Sequence, residues 1–251
     1  MRRFIVLLIA FLFVPVIGTF AQEEGSQENE IFFLQWLKPH NDNIEAFEEA
    51  IKEHNQKFHS EDTVTVFYEI TGDNYGHYEL VQGPYTWTEW ENRDLPEGHR
   101  EHWINTVMPL VEHEAEPSAW KRMPKYELIN LEESSRKSII TILTIKQGEY
   151  DRFMRALEKW HEANKAADNF DGSYNVFSRQ LGGVYQVGIL SYMENGWADL
   201  DDENNFRKRF EEKHGKSAWD LWTDDVQKAI KSEDVVSRVH LPGLSTGSGD
   251  N

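Results

Sequence analysis

An internal duplication limits the fold of this chain more than any other feature. Phe47, Ala50 and Ile51 recur as Phe153, Ala156 and Leu157, each 106 residues further on. Tyr78, Tyr85 and Trp90 recur as Tyr185, Tyr192 and Trp197 at a constant 107, and Trp103 and Arg122 recur as Trp219 and Arg238 at a constant 116. Matched sets in one order, on the same kinds of element, mark a repeated structural unit. The final spacing is longer because the second copy carries extra helical chain after Trp197.

The pattern within each copy reads β-α-β-β-α-β. Residues 31–37 are an apolar run typical of a strand buried on both faces. Asn41 or Asp42 is a suitable helix N-cap, and Ile44, Phe47, Ile51, His54 and Phe58 then form one face of an amphipathic helix. Residues 63–70 alternate as a strand, with Val64, Val66, Tyr68 and Ile70 on one side. A turn-rich loop leads to a third strand at 77–82, a short helix at 87–94, a second helix at 98–114 and a fourth strand at 119–129. Pro109 should bend that second helix or end it early. The order then restarts: a strand at 138–146, a helix with Tyr150, Phe153, Leu157, Trp160 and Asn164 on one face, strands at 173–180 and 184–193, a long helical region broken near Gly215, and a closing strand at 234–240.

One such unit makes a four-stranded antiparallel sheet with both helices on one face. The bare face is partly apolar, and covering it gains roughly 25 cal/mol per Å². Two fused copies can supply that cover to each other. The chain therefore resembles, in element order and doubled length over residues 31–241, the ferredoxin-like dimeric α/β-barrel superfamily in tandem form. The resemblance implies an α+β fold in which two ferredoxin-like units pack their antiparallel sheets face to face as a pseudo-dimer. It also implies a ligand pocket between a sheet and its own helices, and a superfamily that includes oxygen-using monooxygenases, haem proteins and the chlorite dismutase group. The expected divisions are a signal peptide (1–21), a flexible leader (22–30), the first unit (31–130), a linker (131–137), the second unit (138–241) and a frayed tail (242–251).

The start of the chain reads as an export signal: basic Arg2 and Arg3, an apolar run from 4 to 17, and small residues Thr19 and Ala21 before a polar segment. The run is too short to span a bilayer, so cleavage near Ala21 and a periplasmic or extracellular mature chain without a transmembrane segment are expected. The chain has no cysteine, which excludes disulfides, a thiolate nucleophile and thiolate-held metals. Its formal net charge of -18 leaves no basic stripe for nucleic acid.

The side chains that invite a functional reading are few. His54 stands on an apolar helix face where the second copy has Trp160. It is either a hydrogen-bonded core residue or a pocket residue, and in the second case a general base or an axial haem ligand. His161, one residue past Trp160, should face elsewhere. His99 and His102, beside Glu101, have a spacing that can grip a metal from one side, but sequence neighbours complete no ligand set, and no metal site is expected. Arg122 and Arg238 are matched strand positions, read as ion pairs or as an anion clamp in each half. Tyr78 and Tyr185, also matched, are core aromatics or pocket walls. His54, Tyr78, Arg122, Trp160, Tyr185 and Arg238 are thus the ligand-binding candidates. The leading expectation is an exported protein, monomer or homo-oligomer, that binds a small, partly apolar ligand in an aromatic-lined pocket. One rival is a haem-dependent or cofactor-poor monooxygenase-like enzyme, with haem implied only by the resemblance. The other is a non-catalytic envelope interaction protein with a filled interior.

Overall fold

The computed structural model describes residues 29–129, 135–167, 170, 172–201 and 205–247. The proposed signal peptide and nearly all of the leader lie outside these residues, as does most of the linker. No helix among the described residues is long and apolar enough to cross a membrane.

The first half runs β1 (Ile31–Pro39), α1 (Ile44–Phe58), β2 (Val64–Glu69), β3 (Tyr78–Tyr85), α2 (Trp87–Glu91), α3 (His99–His102), β4 (Val111–Glu114) and β5 (Ser118–Arg122). The second runs β6 (Lys137–Ile145), α4 (Tyr150–Lys165), β7 (Ser173–Leu181), β8 (Gln186–Tyr192), α5 (Phe206–His214), α6 (Lys216–Ala229) and β9 (Ile230–His240). The break expected at Gly215 separates α5 from α6, and its φ of 86° favours glycine there.

All strands join one antiparallel sheet in the order β3-β2-β9-β6-β8-β7-β5-β1-β4. A further pairing of β1 with β3 closes eight of them into a barrel, with β4 extending beside the C-terminal end of β1. The strand order is β5-β1-β3-β2 in the first half and β9-β6-β8-β7 in the second. The halves meet through their sheet edges, β2 against β9 and β5 against β7. The sequence expectation was a barrel-like pseudo-dimer with the sheets packed face to face. Edge pairing adds the backbone hydrogen bonds that two separate sheets would leave open, and a closed barrel has no unpaired edge.

The alternation of each strand sends one set of side chains to the helices and the other into the barrel. Val64, Val66, Tyr78 and Leu80 turn outward and form a core with Phe47, Ala50 and Ile51 of α1. The second half repeats this with Tyr174, Val176 and Val187 against Phe153 and Leu157 of α4. Ile44, expected on the buried face of α1, is exposed, and Asn43 just before it makes no side-chain cap.

Three expected elements differ. The helix expected at 98–114 is α3, a π turn (Trp103–Val107) and a 3-10 turn (Met108–Leu110), followed by strand β4. Pro109 cannot supply the amide that an α-helix would use, and the chain extends beside β1 instead. The strand expected to reach 129 ends at Arg122 and continues as a 3-10 turn at Pro124–Tyr126. The part of the expected frayed tail that is described is ordered. Val66 N donates to Ser245 Oγ at 2.9 Å, Asn55 Nδ2 to Leu244 O at 2.7 Å and Thr246 N to Val64 O at 2.8 Å.

Candidate functional site

The inward side chains do not fill the barrel. They enclose a cavity of about 340 Å³, whose apolar walls include Phe32, Leu34 and Trp36 of β1, Phe67 of β2, Ile142 of β6 and Phe177 of β7. Trp120 of β5 reaches across to Gly188 of β8, where a Cβ would lie 3.3 Å from the indole ring. Any larger residue at 188 would push that ring aside. Asn74, in the loop between β2 and β3, lines the cavity from a half-buried position and marks an approach to solvent.

Against these walls stands a polar centre. Glu69, the last residue of β2, and Glu79 of β3 are both buried, at 2% and 0% exposure. Trp36 Nε1 donates to Glu69 Oε1 at 2.6 Å. Arg238 of β9 donates to Glu79 Oε2 and, at 3.2 Å, to Ser138 Oγ, while its guanidinium carbon lies 3.7 Å from the centre of the Phe67 ring. Glu69 Oε2 and Glu79 Oε1 have no hydrogen-bond partner. Two carboxyl groups therefore stand beside one guanidinium, which pairs with Glu79. Burial first, and the nearby Glu79 charge second, raise the Glu69 pKa from 4.5 to about 8. Near neutral pH Glu69 carries a proton, so the centre offers an O–H donor on Glu69 and one unpaired acceptor, Glu79 Oε1.

The matched arginines both face this cavity. Arg122 is already engaged: it donates to Glu127 through Nε and Nη2 at 2.7 and 2.8 Å and to Glu30 through Nη1 at 2.8 Å. These bonds raise its pKa further, and of the two readings of Arg122 they are the ion pairs rather than an anion clamp. Tyr78 and Tyr185 point away from the cavity. Tyr78 packs in the first core and donates to Glu48 Oε1 at 2.5 Å, whereas Tyr185 packs edge-on to Tyr150 with ring centres 4.9 Å apart. In the other matched pair of tyrosines, Tyr192, the match of Tyr85, lines the cavity and donates to Asn175 Oδ1 at 2.6 Å.

A second, more open cleft of about 790 Å³ lies where the resemblance placed the pocket, between the sheet of the second half and its helices. Trp160, Tyr174, Phe206, Arg209 and Trp222 line it. His161, expected to face elsewhere, is buried with Nδ1 3.0 Å from Tyr174 Oη.

His54 faces neither space. Its Nε2 lies 3.2 Å from His99 Nε2, and its Nδ1 lies 3.2 Å from His102 Nδ1. His99 Nε2 is also 3.1 Å from His59 Nε2. Burial, reinforced by the neighbouring imidazoles, lowers the His54 pKa to about 3, so the ring is neutral. Both ring nitrogens are occupied by other histidines, and no histidine lines the barrel cavity or the second-half cleft. His54 does not fit the role of axial haem ligand.

Sequence reasoning missed Glu69, Glu79 and His59. Glu69 carried a signal: on the alternating strand it shares its face with Thr65 and Phe67, opposite Val64, Val66 and Tyr68. A carboxylate on that face is buried once the barrel closes.

No family model matches the chain, and no curated protein matches it. Solved structures do match in fold. An anthrone oxidase-like protein aligns with a TM-score of 0.52 at 12% identity, over 89% of this chain and 96% of its own. A monooxygenase-like protein of Lactobacillus acidophilus NCFM gives 0.52 at 12%, over 87% and 96%. A point variant of chlorite dismutase from Candidatus Nitrospira defluvii gives 0.53 at 9%, over 87% and 95%. The chain has the fold of a dimeric α+β barrel. At these identities the likeness defines the fold alone.

Proposed function

We propose that this protein binds a small, largely apolar molecule inside its barrel, held at one end by hydrogen bonds to Glu69 and Glu79. The observation that carries this reading is the pair of buried carboxyl oxygens without partners, set in an apolar cavity of about 340 Å³. A buried acceptor left unpaired costs about 1–3 kcal/mol, which a ligand amine, phenol or ammonium would recover. The cavity also speaks against an interaction protein with a filled interior.

The barrel is read as two duplicated ferredoxin-like units, supported by the identical strand order of the halves and their matched residues. Cleavage near Ala21 would put the ligand outside the cytoplasm. An N-terminus at Gln22 in the secreted chain checks this, and an uncleaved chain in the cytoplasm would refute it.

A second reading is favoured by one observation. A carboxyl that ionises near pH 8 inside an apolar cavity is suited to act as a general base. In this reading Glu69 Oε2 takes a proton from the bound donor, and the protein is a monooxygenase-like enzyme acting on an aromatic substrate.

One experiment addresses both. N-phenyl-1-naphthylamine, an apolar fluorophore with a single N–H donor, should bind saturably to one site. Ile142→Trp, which fills the cavity, should abolish that binding in a barrel still folded by circular dichroism. Glu69→Leu, which removes the carboxyl, should weaken it about tenfold or more. Binding unchanged in both variants would overturn the barrel site. Oxygen uptake with anthrone, lost in Glu69→Gln, separates the catalytic reading, and its absence leaves binding alone.

A further inference from the structure

The histidines of the first half form a second centre on the helix side of the sheet, away from the barrel cavity. His54 and His59 come from the last turn of α1 and the residue after it, and His99 opens α3. Their Nε2 atoms approach one another at 3.2 Å (His54 to His99) and 3.1 Å (His59 to His99), and one ligand nitrogen from each lies within 4.8 Å of the others. His54 and His59 are buried, at 1% and 2% exposure.

Hydrogen bonding alone accounts poorly for this contact. A neutral imidazole carries one N–H and one lone pair. His59 Nδ1 faces Asp62 Oδ2 at 3.4 Å, which places its proton there and leaves Nε2 as a lone pair. His99 Nε2 then meets two nitrogens with at most one proton, while His99 Nδ1 is buried without any partner. A cation shared by the three Nε2 lone pairs removes the conflict at Nε2 and puts the His99 proton on Nδ1. Each proton then sits on the outward nitrogen: His59 Nδ1 donates to Asp62, His54 Nδ1 faces His102 Nδ1 at 3.2 Å, and His102 Nε2 lies 3.4 Å from Glu53 Oε1. Such carboxylate–histidine supports are the usual outer shell of a bound metal. Tetrahedral ligands at about 2.0–2.1 Å from zinc stand about 3.3–3.4 Å apart, close to the separations found.

We propose that His54, His59 and His99 bind one divalent transition-metal ion, of which Zn(II) is the type, through their Nε2 atoms. Three imidazoles select against Mg(II) and Ca(II), which take oxygen ligands. Three protein ligands leave the fourth tetrahedral position to water or a small ligand. The absence of a metal site was expected from local spacing, which does not reveal ligands from chain segments 40 and more residues apart.

The test uses the full chain, stripped with a chelator and titrated with ZnCl₂ by calorimetry and with Co(II) by absorbance. One equivalent of Zn(II) should bind, and Co(II) should give the intense d–d bands of four-coordinate nitrogen-rich sites. His99→Ala, on a short surface-facing helix, should weaken binding by more than about 100-fold, beyond the range of an outer-shell change. His102→Ala and Asp62→Asn should keep one equivalent and weaken it by about 10–100-fold. His113→Ala, whose ring contacts His77 instead, should change nothing. Absence of saturable binding at one equivalent, or a folded His99→Ala variant that binds as tightly as the parent, would overturn the site.

Discussion

Glu69 makes the stability of the barrel answer to pH. The unfolded carboxyl ionises at about 4.5, whereas burial and Glu79 hold the folded one to about 8. Between those values the folded chain carries a proton that the unfolded chain has released. Stability contributed by this group is therefore full below about pH 4.5 and is lost as pH rises toward about 8. Glu69→Gln mimics the protonated form. It should flatten this part of the profile and make the variant more stable than the parent above about pH 8, as measured by urea unfolding across that range. An unchanged slope would mean that Glu69 is ionised in the folded protein. At this scale the sequence was partly legible. Tyr78, Tyr185 and Trp160 were identifiable as core or pocket aromatics by their place in the repeat. The burial of Glu69 was not, because the strand's second face becomes an interior only when a distant strand closes over it.

At the scale of elements, periodicity located the long helices and most of the strands, and it failed where the chain leaves regular geometry. The segment after Gly98 carries a helical pattern, yet it changes from α to π to 3-10 within Arg100–Leu110 and becomes β4. Pro109 removes one amide, and β1 offers its C-terminal residues as a partner. The tail shows the opposite case. Its Pro, Gly and Ser composition suggests fraying, but Leu241 N donates to Val66 O and the following residues tie α1 to β2. Truncation after Leu241 removes the bonds of Leu244, Ser245 and Thr246 to Asn55, Val66 and Val64. Each net hydrogen bond is worth about 1 kcal/mol, so the urea midpoint should fall by an amount equivalent to about 2–4 kcal/mol. An unchanged midpoint would show that the strap is decorative.

For the whole molecule, closure is the decisive event. Each half ends in unpaired edges, β2 and β5 in one and β7 and β9 in the other, and each keeps an inner face that belongs to the cavity. Separate fragments comprising 29–129 and 135–247 should therefore self-associate when expressed alone. Mixed during refolding, they should give one soluble complex containing a single copy of each, seen by size-exclusion chromatography with light scattering. Two monomeric, well-folded fragments would show that the shared edges contribute little.

The order and type of most elements and their helix-facing cores were determined by the sequence itself, because hydrophobic period and turn chemistry act over a few residues. The barrel closure, the carboxylate pair with its single arginine, and the meeting of His54, His59 and His99 were decided only by tertiary structure. Each depends on residues from segments far apart along the chain, and proximity between such segments is created by strand pairing and helix packing rather than by any local pattern.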